Sequence, residues 1–318
     1  MTLQQTPFAI SNGVSEPLDG SFDLQSGLDV VERLMHETVD SDVEVLRDAS
    51  RHILGAGGKR IRPRLTLLSY AASNGTDPAE AAPLAAAVEL VHTASVVHDD
   101  INDHGVVRRG RPSVNSIWGR TFALLTGDYL FTKVYELMAP YGDLNRVMSE
   151  ATTALVEGET LQAAAVKDGQ FTREVYYRII ALKTAALFKA AAGLGARVAQ
   201  ASRTAEQALE TFGFNIGLAF QIVDDVLDIT GSSEQLGKTS GIDIEQGRGF
   251  TVAYDNSDTA DAVEALRARV MRGDAIHEAY DQARRCVEMA IEALVVLPET
   301  SAKQQLIELA WSVVDRDA

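Results

Sequence analysis

One cysteine, Cys286, occurs in 318 residues. That excludes an internal disulfide and leads to the expectation of a reducing compartment, the cytoplasm. The six histidines form no ligand-spaced pair, so a zinc site would lack ligands. Aromatic residues make up only 6% of a chain that is 46% apolar. Its core must be built mainly from Ala, Leu and Val, which suits closely packed helices. No uninterrupted apolar run reaches the roughly 18 residues that a bilayer span needs, and no transmembrane segment is expected. Residues 1–32 contain neither Lys nor Arg and no apolar stretch of signal-peptide length, which argues against a secretory signal or an Arg-rich transit peptide. Cations are scarce throughout: 29 Lys and Arg against 45 Asp and Glu give a formal charge of −16. Nucleic acid and anionic membrane surfaces are disfavoured as partners. A polyanionic ligand would need metal ions or a local basic patch.

Two acid clusters stand out. Asp99, Asp100 and Asp103 end one long apolar segment, and Asp224, Asp225 and Asp228 end another. On a helix Asp99 and Asp103 share a face, as do Asp224 and Asp228. His92 precedes Asp99 by seven residues and Gln221 precedes Asp228 by seven, each on nearly the same stripe. Both clusters fall near a helix C-terminus, where the macrodipole disfavours negative charge by about 0.3–1 kcal/mol per group. Two carboxylates ~6 Å apart repel by about 3 kcal/mol at an effective dielectric of ~20. Neither placement helps folding, and divalent cations would reverse both penalties. Hard carboxylate oxygens favour magnesium, which is held by one or two carboxylates together with substrate phosphates.

Cations stand near these acids. GGKRIRP, residues 57–63, sets Lys59, Arg60 and Arg62 beside two glycines, where backbone and side chains can approach phosphate oxygens. It is not a Walker loop. Arg108, Arg109 and Arg111 follow the first acid cluster directly. Lys183 and Thr184 sit within a run of Ala and Leu, so Lys183 must snorkel or meet an anion. Glu157, Glu159 and Gln162 read as a polar stripe that exposure alone would explain, and Trp118 and Phe220 read as core.

Helical periodicity dominates the chain. A polar N-terminal tail over 1–22 is expected to precede a single all-α domain over 23–318. Helices are expected at 24–39; at 41–54 with Ser41 as N-cap; from Pro63 to about 74; at 78–103 behind Asp77; at 114–118, 121–138, 143–167 and 172–194; from a capping box at Thr204–Gln207 through 228; and at 259–270, 274–294 and 301–314. Gly110 and Pro112 mark a loop, and 231–249 reads as a Gly- and Ser-rich loop. No strand is predicted, and no linker divides the chain.

Taken together, GGKRIRP (57–63), HDDINDHGVVRRGRP (98–112), GDYLF (127–131), EGETLQ (157–162), LKTAALF (182–188) and FQIVDDVLD (220–228) resemble, in order, the motifs of the trans-prenyltransferases that make linear polyprenyl diphosphates. GKTSGIDIEQGR (237–248) is a weaker match. The resemblance implies an all-α fold around a deep central cavity, usually as a homodimer, with isopentenyl diphosphate and an allylic diphosphate as substrates. It implies about three Mg²⁺ ions, with Asp99, Asp103, Asp224 and Asp228 as metal ligands, and a catalytic set of Asp99, Asp103, Lys183 and Asp224. It assigns Lys59, Arg62, His92 and Arg109 to the isopentenyl diphosphate pocket. Arg108, Lys183, Thr184, Gln221 and Lys238 are assigned to the allylic diphosphate, as is Arg248, where the family usually has Lys. His104 is another uncommon residue. The implied reaction is ionisation of the allylic C–O bond, attack by the isopentenyl double bond, loss of a proton to the released diphosphate, and repetition.

Short-chain members of the family often carry an aromatic residue four or five positions before the first Asp; here Ser95 and Ala94 stand there. With Val91 they are expected to leave a tunnel open, with Tyr129, Phe131, Tyr135 and Met138 as a deeper floor. The expected product is medium or long, with geranylgeranyl diphosphate as the alternative. A terpene cyclase or squalene-type synthase would have no use for GGKRIRP. A non-catalytic subunit of a heteromeric synthase would typically have lost one acid cluster, and both are complete here.

Overall fold

The computed structural model describes residues 22–230 and 274–315. Twelve α-helices account for most of them: α1 (Leu24–Thr38), α2 (Glu44–Leu54), α3 (Ile61–Ala72), α4 (Pro78–Asn102), α5 (Val114–Trp118), α6 (Arg120–Met138), α7 (Leu144–Asp168), α8 (Arg173–Ile180), α9 (Ala186–Val198), α10 (Arg203–Thr230), α11 (Asp274–Ala293) and α12 (Ser301–Val314). The protein is all-α, as its helical periodicity led one to expect. Its buried apolar side chains form one continuous core. α4 lies at the centre, packed along α6, α1, α3 and α9, and α10 packs along α9 and α11. The Ala-rich start of α4 makes this packing tight: Ala81 to Val88 are buried except Pro83.

Several helix ends follow the local chemistry that was read from sequence. Asp77 accepts a hydrogen bond from Ala79 N–H at 2.9 Å and opens α4. Thr172 caps α8 through Val175 N–H at 3.3 Å. Other ends differ. Ser41 accepts from Val43 N–H at 3.1 Å, one step outside the helix, and Val43 is the cap of α2. α3 begins at Ile61, before Pro63, because Arg60 takes a left-handed conformation (φ 47°) and turns the chain into the helix early. Pro63 still falls in the first turn, where its missing N–H costs little. The cap of α10 is Ser202, whose hydroxyl accepts from Ala205 N–H at 3.2 Å, and not Thr204. The expected loop after the first acid cluster contains a small antiparallel ribbon, β1 (Val107–Arg108) with β2 (Arg111–Pro112). Gly110 (φ 71°) and Arg109 (φ 53°) supply its left-handed turn.

α8 and α9 form one continuous rod interrupted by a π-helical turn at Ala181–Ala185. Two helical stretches, Pro78–Asn102 and Arg173–Val198, are long and apolar enough to cross a membrane, but 78% and 72% of their apolar windows are buried inside the fold. They are core helices. Of the expected tail over 1–22, Phe22 is described and packs against Tyr70 of the core; residues 1–21, the loop over 231–249 with Lys238 and Arg248, and the helix over 259–270 lie outside the described residues.

Candidate active site

Both acid clusters open onto one polar cavity of about 170 Å³. α4 contributes His92, Ser95, Val96 and Asp99, and Asp103 caps its C-terminal end; α10 contributes Phe220, Gln221 and Asp224; α7 contributes Leu155 and Glu159; the π turn contributes Lys183 and Thr184; Arg62 comes from α3 and Arg108 from β1. Residues separated by more than 160 positions are thus brought to one wall-to-wall site.

Within each cluster the adjacent aspartates have different surroundings. Asp99, Asp103 and Asp224 face the cavity. Asp100 is 1% exposed and accepts from Arg108 Nε at 2.9 Å and Nη2 at 2.7 Å. Burial pushes the Asp100 carboxyl up, against the pull of Arg108. Burial opposes the charge on Arg108, but Asp100 outweighs it and holds the guanidinium above its ordinary value. Asp225, also buried, accepts from Tyr176 Oη and Gln221 Nε2, both at 2.7 Å. Gln221 in turn accepts from Thr184 Oγ1 at 2.7 Å. This chain of bonds ties the π turn to α10. Asp228, one turn beyond Asp224, is 1% exposed and does not line the cavity.

The π turn sets where Lys183 leaves its helix; such one-turn bulges re-aim side chains at functional positions. Gly158 of α7 packs onto it so closely that a Cβ there would fall 2.6 Å from Lys183 N. Lys183 Nζ lies 2.6 Å from Glu159 Oε1 and 3.8 Å from Asp99 Oδ2. Burial, then the neighbouring Asp99 charge, pushes the Glu159 carboxyl up to about 7. Glu159 is the site residue that the sequence reading passed over as an exposed stripe. The pattern held a clue in Gly158, since a glycine within a helix marks a close approach of another backbone.

On the basic side, Arg62 is 8% exposed, with its guanidinium 4.5 Å above the ring of Phe188 and 5.8 Å from that of Phe220. Phe220, read as core, is a wall of the cavity. Burial, then the Arg62 and Arg109 charges, holds His92 well below its ordinary value, so its ring is neutral. Arg109 docks the β ribbon on the 57–63 loop: Nη1 donates to Gly57 O, and a Cβ on Gly58 would lie 2.8 Å from it. Lys59 is exposed on the same loop, beside rather than in the cavity wall. Arg60 belongs to the fold, ion-paired with Glu32 and, at 2.9 Å, with Glu89.

A second, apolar cavity of about 560 Å³ lies between α6 and α7, lined by Phe131, Val134, Tyr135 and Met138 of α6 and by Met148, Thr152 and Val156 among α7 residues. Leu155, between Thr152 and Val156 in sequence, lines the polar cavity instead. Of Ala94, Ser95 and Val91, only Ser95 lines either cavity; of the proposed deeper floor, Phe131, Tyr135 and Met138 line the apolar cavity and Tyr129 lines neither. Ala94 and Val91 are fully buried and line neither. The helical period explains this: at about 100° per residue, positions five and eight before Asp99 point roughly 140° and 80° away from it, whereas Ser95 is only about 40° away.

The comparisons agree with this geometry. The family model described as "Polyprenyl synthetase" matches residues 43–290. The chain is 35% identical over 301 residues to octaprenyl diphosphate synthase of Escherichia coli, covering 88% of this chain and 93% of that protein. It is 38% identical over 314 residues to a short chain isoprenyl diphosphate synthase of Methanothermobacter thermautotrophicus, covering 90% and 95%. Among solved structures, the polyprenyl synthase of Caulobacter crescentus, complexed with calcium and isoprenyl diphosphate, superimposes with a TM-score of 0.86 at 32% identity, covering 92% of this chain and 96% of that one. With the fold, the facing acid clusters and these matches in agreement, the chain belongs to the polyprenyl synthetase family and is a prenyltransferase, a trans-polyprenyl diphosphate synthase.

Proposed function

We propose that this enzyme condenses isopentenyl diphosphate onto an allylic diphosphate, with Asp99, Asp103 and Asp224 gathering magnesium around the leaving diphosphate. The observation that carries the reading is that carboxylates of α4 and α10 share one small polar cavity with Lys183, Arg62 and Arg108. The donor set fits magnesium: its oxygens are hard, and among the described residues no three His, Cys, Asp or Glu converge to form an all-protein cage. Magnesium is ordinarily completed by substrate phosphate. Asp228 would join the set through a shift of its buried side chain. Bound there, the metal supplies charge neutralisation of the departing diphosphate.

The chain's own residues do the rest. Lys183, Thr184, Gln221 and Arg108 hold the allylic diphosphate, with Lys238 and Arg248 as further contacts. Arg62 and neutral His92 face the isopentenyl diphosphate, with Lys59 and Arg109 at the mouth. Neutral His92 can hydrogen-bond without adding charge to a site that already holds Arg62. These groups stabilise negative charge as the allylic C–O bond breaks, beside the apolar side chains of Phe220 and Leu155 that form part of the cavity wall. The isopentenyl double bond then attacks the allylic cation. A proton leaves to the released diphosphate, and a trans double bond remains.

The growing chain is assigned to the apolar cavity between α6 and α7. Its volume of about 560 Å³ and its largely apolar lining leave room for isoprene units beyond those in the polar site. That supports a medium or long product over geranylgeranyl diphosphate. The working form is a homodimer, supported by the exposed apolar face of α6, where Phe122, Leu124 and Leu125 are 43%, 50% and 47% exposed. We read 23–318 as one domain and the location as cytoplasmic, in keeping with its single, buried free thiol. The lone chain, incubated with Mg²⁺, farnesyl diphosphate and labelled isopentenyl diphosphate, should yield labelled product longer than geranylgeranyl diphosphate, and EDTA should abolish it. No turnover by the lone chain would favour a subunit of a heteromeric synthase. A product stopping at geranylgeranyl would defeat the length assignment.

A further inference from the structure

Glu159 has no part in the reaction described above, yet it stands inside the same cavity, one turn beyond Leu155 on α7. Its carboxylate lies 2.6 Å from Lys183 Nζ, and the same ammonium lies 3.8 Å from Asp99 Oδ2. The approach is imposed by backbone. Gly158 meets Lys183 with no space for a Cβ, which would fall 2.6 Å from its N and 3.0 Å from its Cα. Lys183 is fixed in turn by the π turn. The pair is not a loose surface bridge, since the side chains of Glu159 and Lys183 are only 27% and 22% exposed.

These groups set up a competition. An ammonium between two carboxylates is drawn to the nearer, because attraction falls as the inverse of distance. With the Glu159 carboxyl replaced by an amide, its hold on Lys183 would weaken, and the ammonium would close the 3.8 Å to Asp99 and cover the oxygen that a divalent cation needs. Lys183 would then be spent on Asp99 instead of being available to the diphosphate.

We propose that Glu159 is a positioning residue: it holds Lys183 off Asp99, which keeps the first acid cluster open to metal and Lys183 aimed at the diphosphate. This rests on the functional reading given above. It assigns Glu159 no contact with the reacting atoms.

Manganese binding in the presence of unreactive farnesyl thiolodiphosphate, followed by the paramagnetic resonance signal of free manganese, tests it without turnover. Glu159→Gln should weaken manganese binding about five- to tenfold, the scale expected of coupled neighbours. In a Lys183→Gln background the same substitution should change binding by less than about twofold. Glu159→Asp keeps the charge but shortens its reach; it should give an intermediate affinity, and it carries the test if Glu159→Gln does not fold. Wild-type affinity in Glu159→Gln would overturn the proposal. So would an equal loss with Lys183 absent, which would mean that Glu159 acts on the metal directly. If the wild-type protein binds no manganese with the thiolodiphosphate, the reading of the site falls and this inference with it.

Discussion

Adjacent aspartates in the two clusters have opposite duties. Asp99 and Asp224 face the cavity, while Asp100 and Asp225 are buried and held by Arg108 and by Tyr176 and Gln221. Their substitutions should therefore separate. Asp100→Asn strips the charge partner from a largely buried guanidinium and should cost about 2–3 kcal/mol of stability, read as a lower denaturation midpoint. Asp99→Asn relieves crowded negative charge and should leave the midpoint unchanged or raised while activity is lost, as at other sites where function is bought with stability. His92 gives a pH signature. Its folded-state value is depressed by burial and by Arg62, so as pH falls below about 6.5 the unfolded chain takes up the proton first. Its contribution to stability is present above that pH and is lost below it, by at most about 1.4 kcal/mol per pH unit. Melting temperatures between pH 7 and 5 should fall less steeply for His92→Gln than for the wild type. The sequence made the clusters legible because two D-D-x-x-D patterns at helix ends have no folding rationale. It did not show Glu159, since a Glu facing solvent and a Glu facing a buried Lys look alike in one dimension.

Among the elements, the π turn at Ala181–Ala185 matters most for the site. It aims Lys183 and Thr184 inward, and α7 approaches it through Gly158. Gly158→Ala would drive a methyl group into the Lys183 backbone. The expected penalty is about 1–3 kcal/mol from overpacking, with a fall in kcat as Lys183 is displaced; thermal melts and steady-state kinetics would check both. Helix ranges were legible from periodicity, but the π turn was not: an extra residue shifts the apolar stripe by about 100°, and residues 179–196 are so rich in Ala, Ile and Leu that no stripe stands out to be shifted. Thr204 was misplaced as a cap because Ser202 stands two residues away and only geometry chooses between them; Ser41 was misplaced because its hydroxyl closes a turn on Val43 N–H just before α2, whose own cap, Val43, has no side-chain oxygen. Ala94 and Val91 are buried and line neither cavity, because rotation about the helix axis, as well as distance along it, decides which side chains face a site. The length of the product should thus respond to α7. Thr152→Phe, near the polar cavity, should shorten the product more than Ser149→Phe, one turn deeper, and product chromatography would rank them. A product unchanged in both would remove the apolar cavity from the account.

At the level of the whole molecule, the abundance of Ala and the scarcity of aromatic residues pointed to the fold class, while the formal charge of −16 disfavours polyanionic partners without revealing the subunit contact. That contact is inferred from α6, whose exposed Phe122, Leu124 and Leu125 could be recognised only once the helix had been placed at the surface. Leu125→Asp should shift the protein from dimer to monomer in sedimentation velocity; a wild-type sedimentation coefficient for that variant would move the interface elsewhere. Joining the scales is the claim that acids of α4 and α10 act on one diphosphate. It is tested most directly by single-turnover rates with farnesyl and isopentenyl diphosphates for Asp99→Asn, Asp224→Asn and the double variant. Each single change should cost about a hundred- to a thousandfold, and the double little more than the worse single, because the residues serve as one unit. Losses that multiply in the double variant, or a near-normal rate in either single, would contradict the shared site.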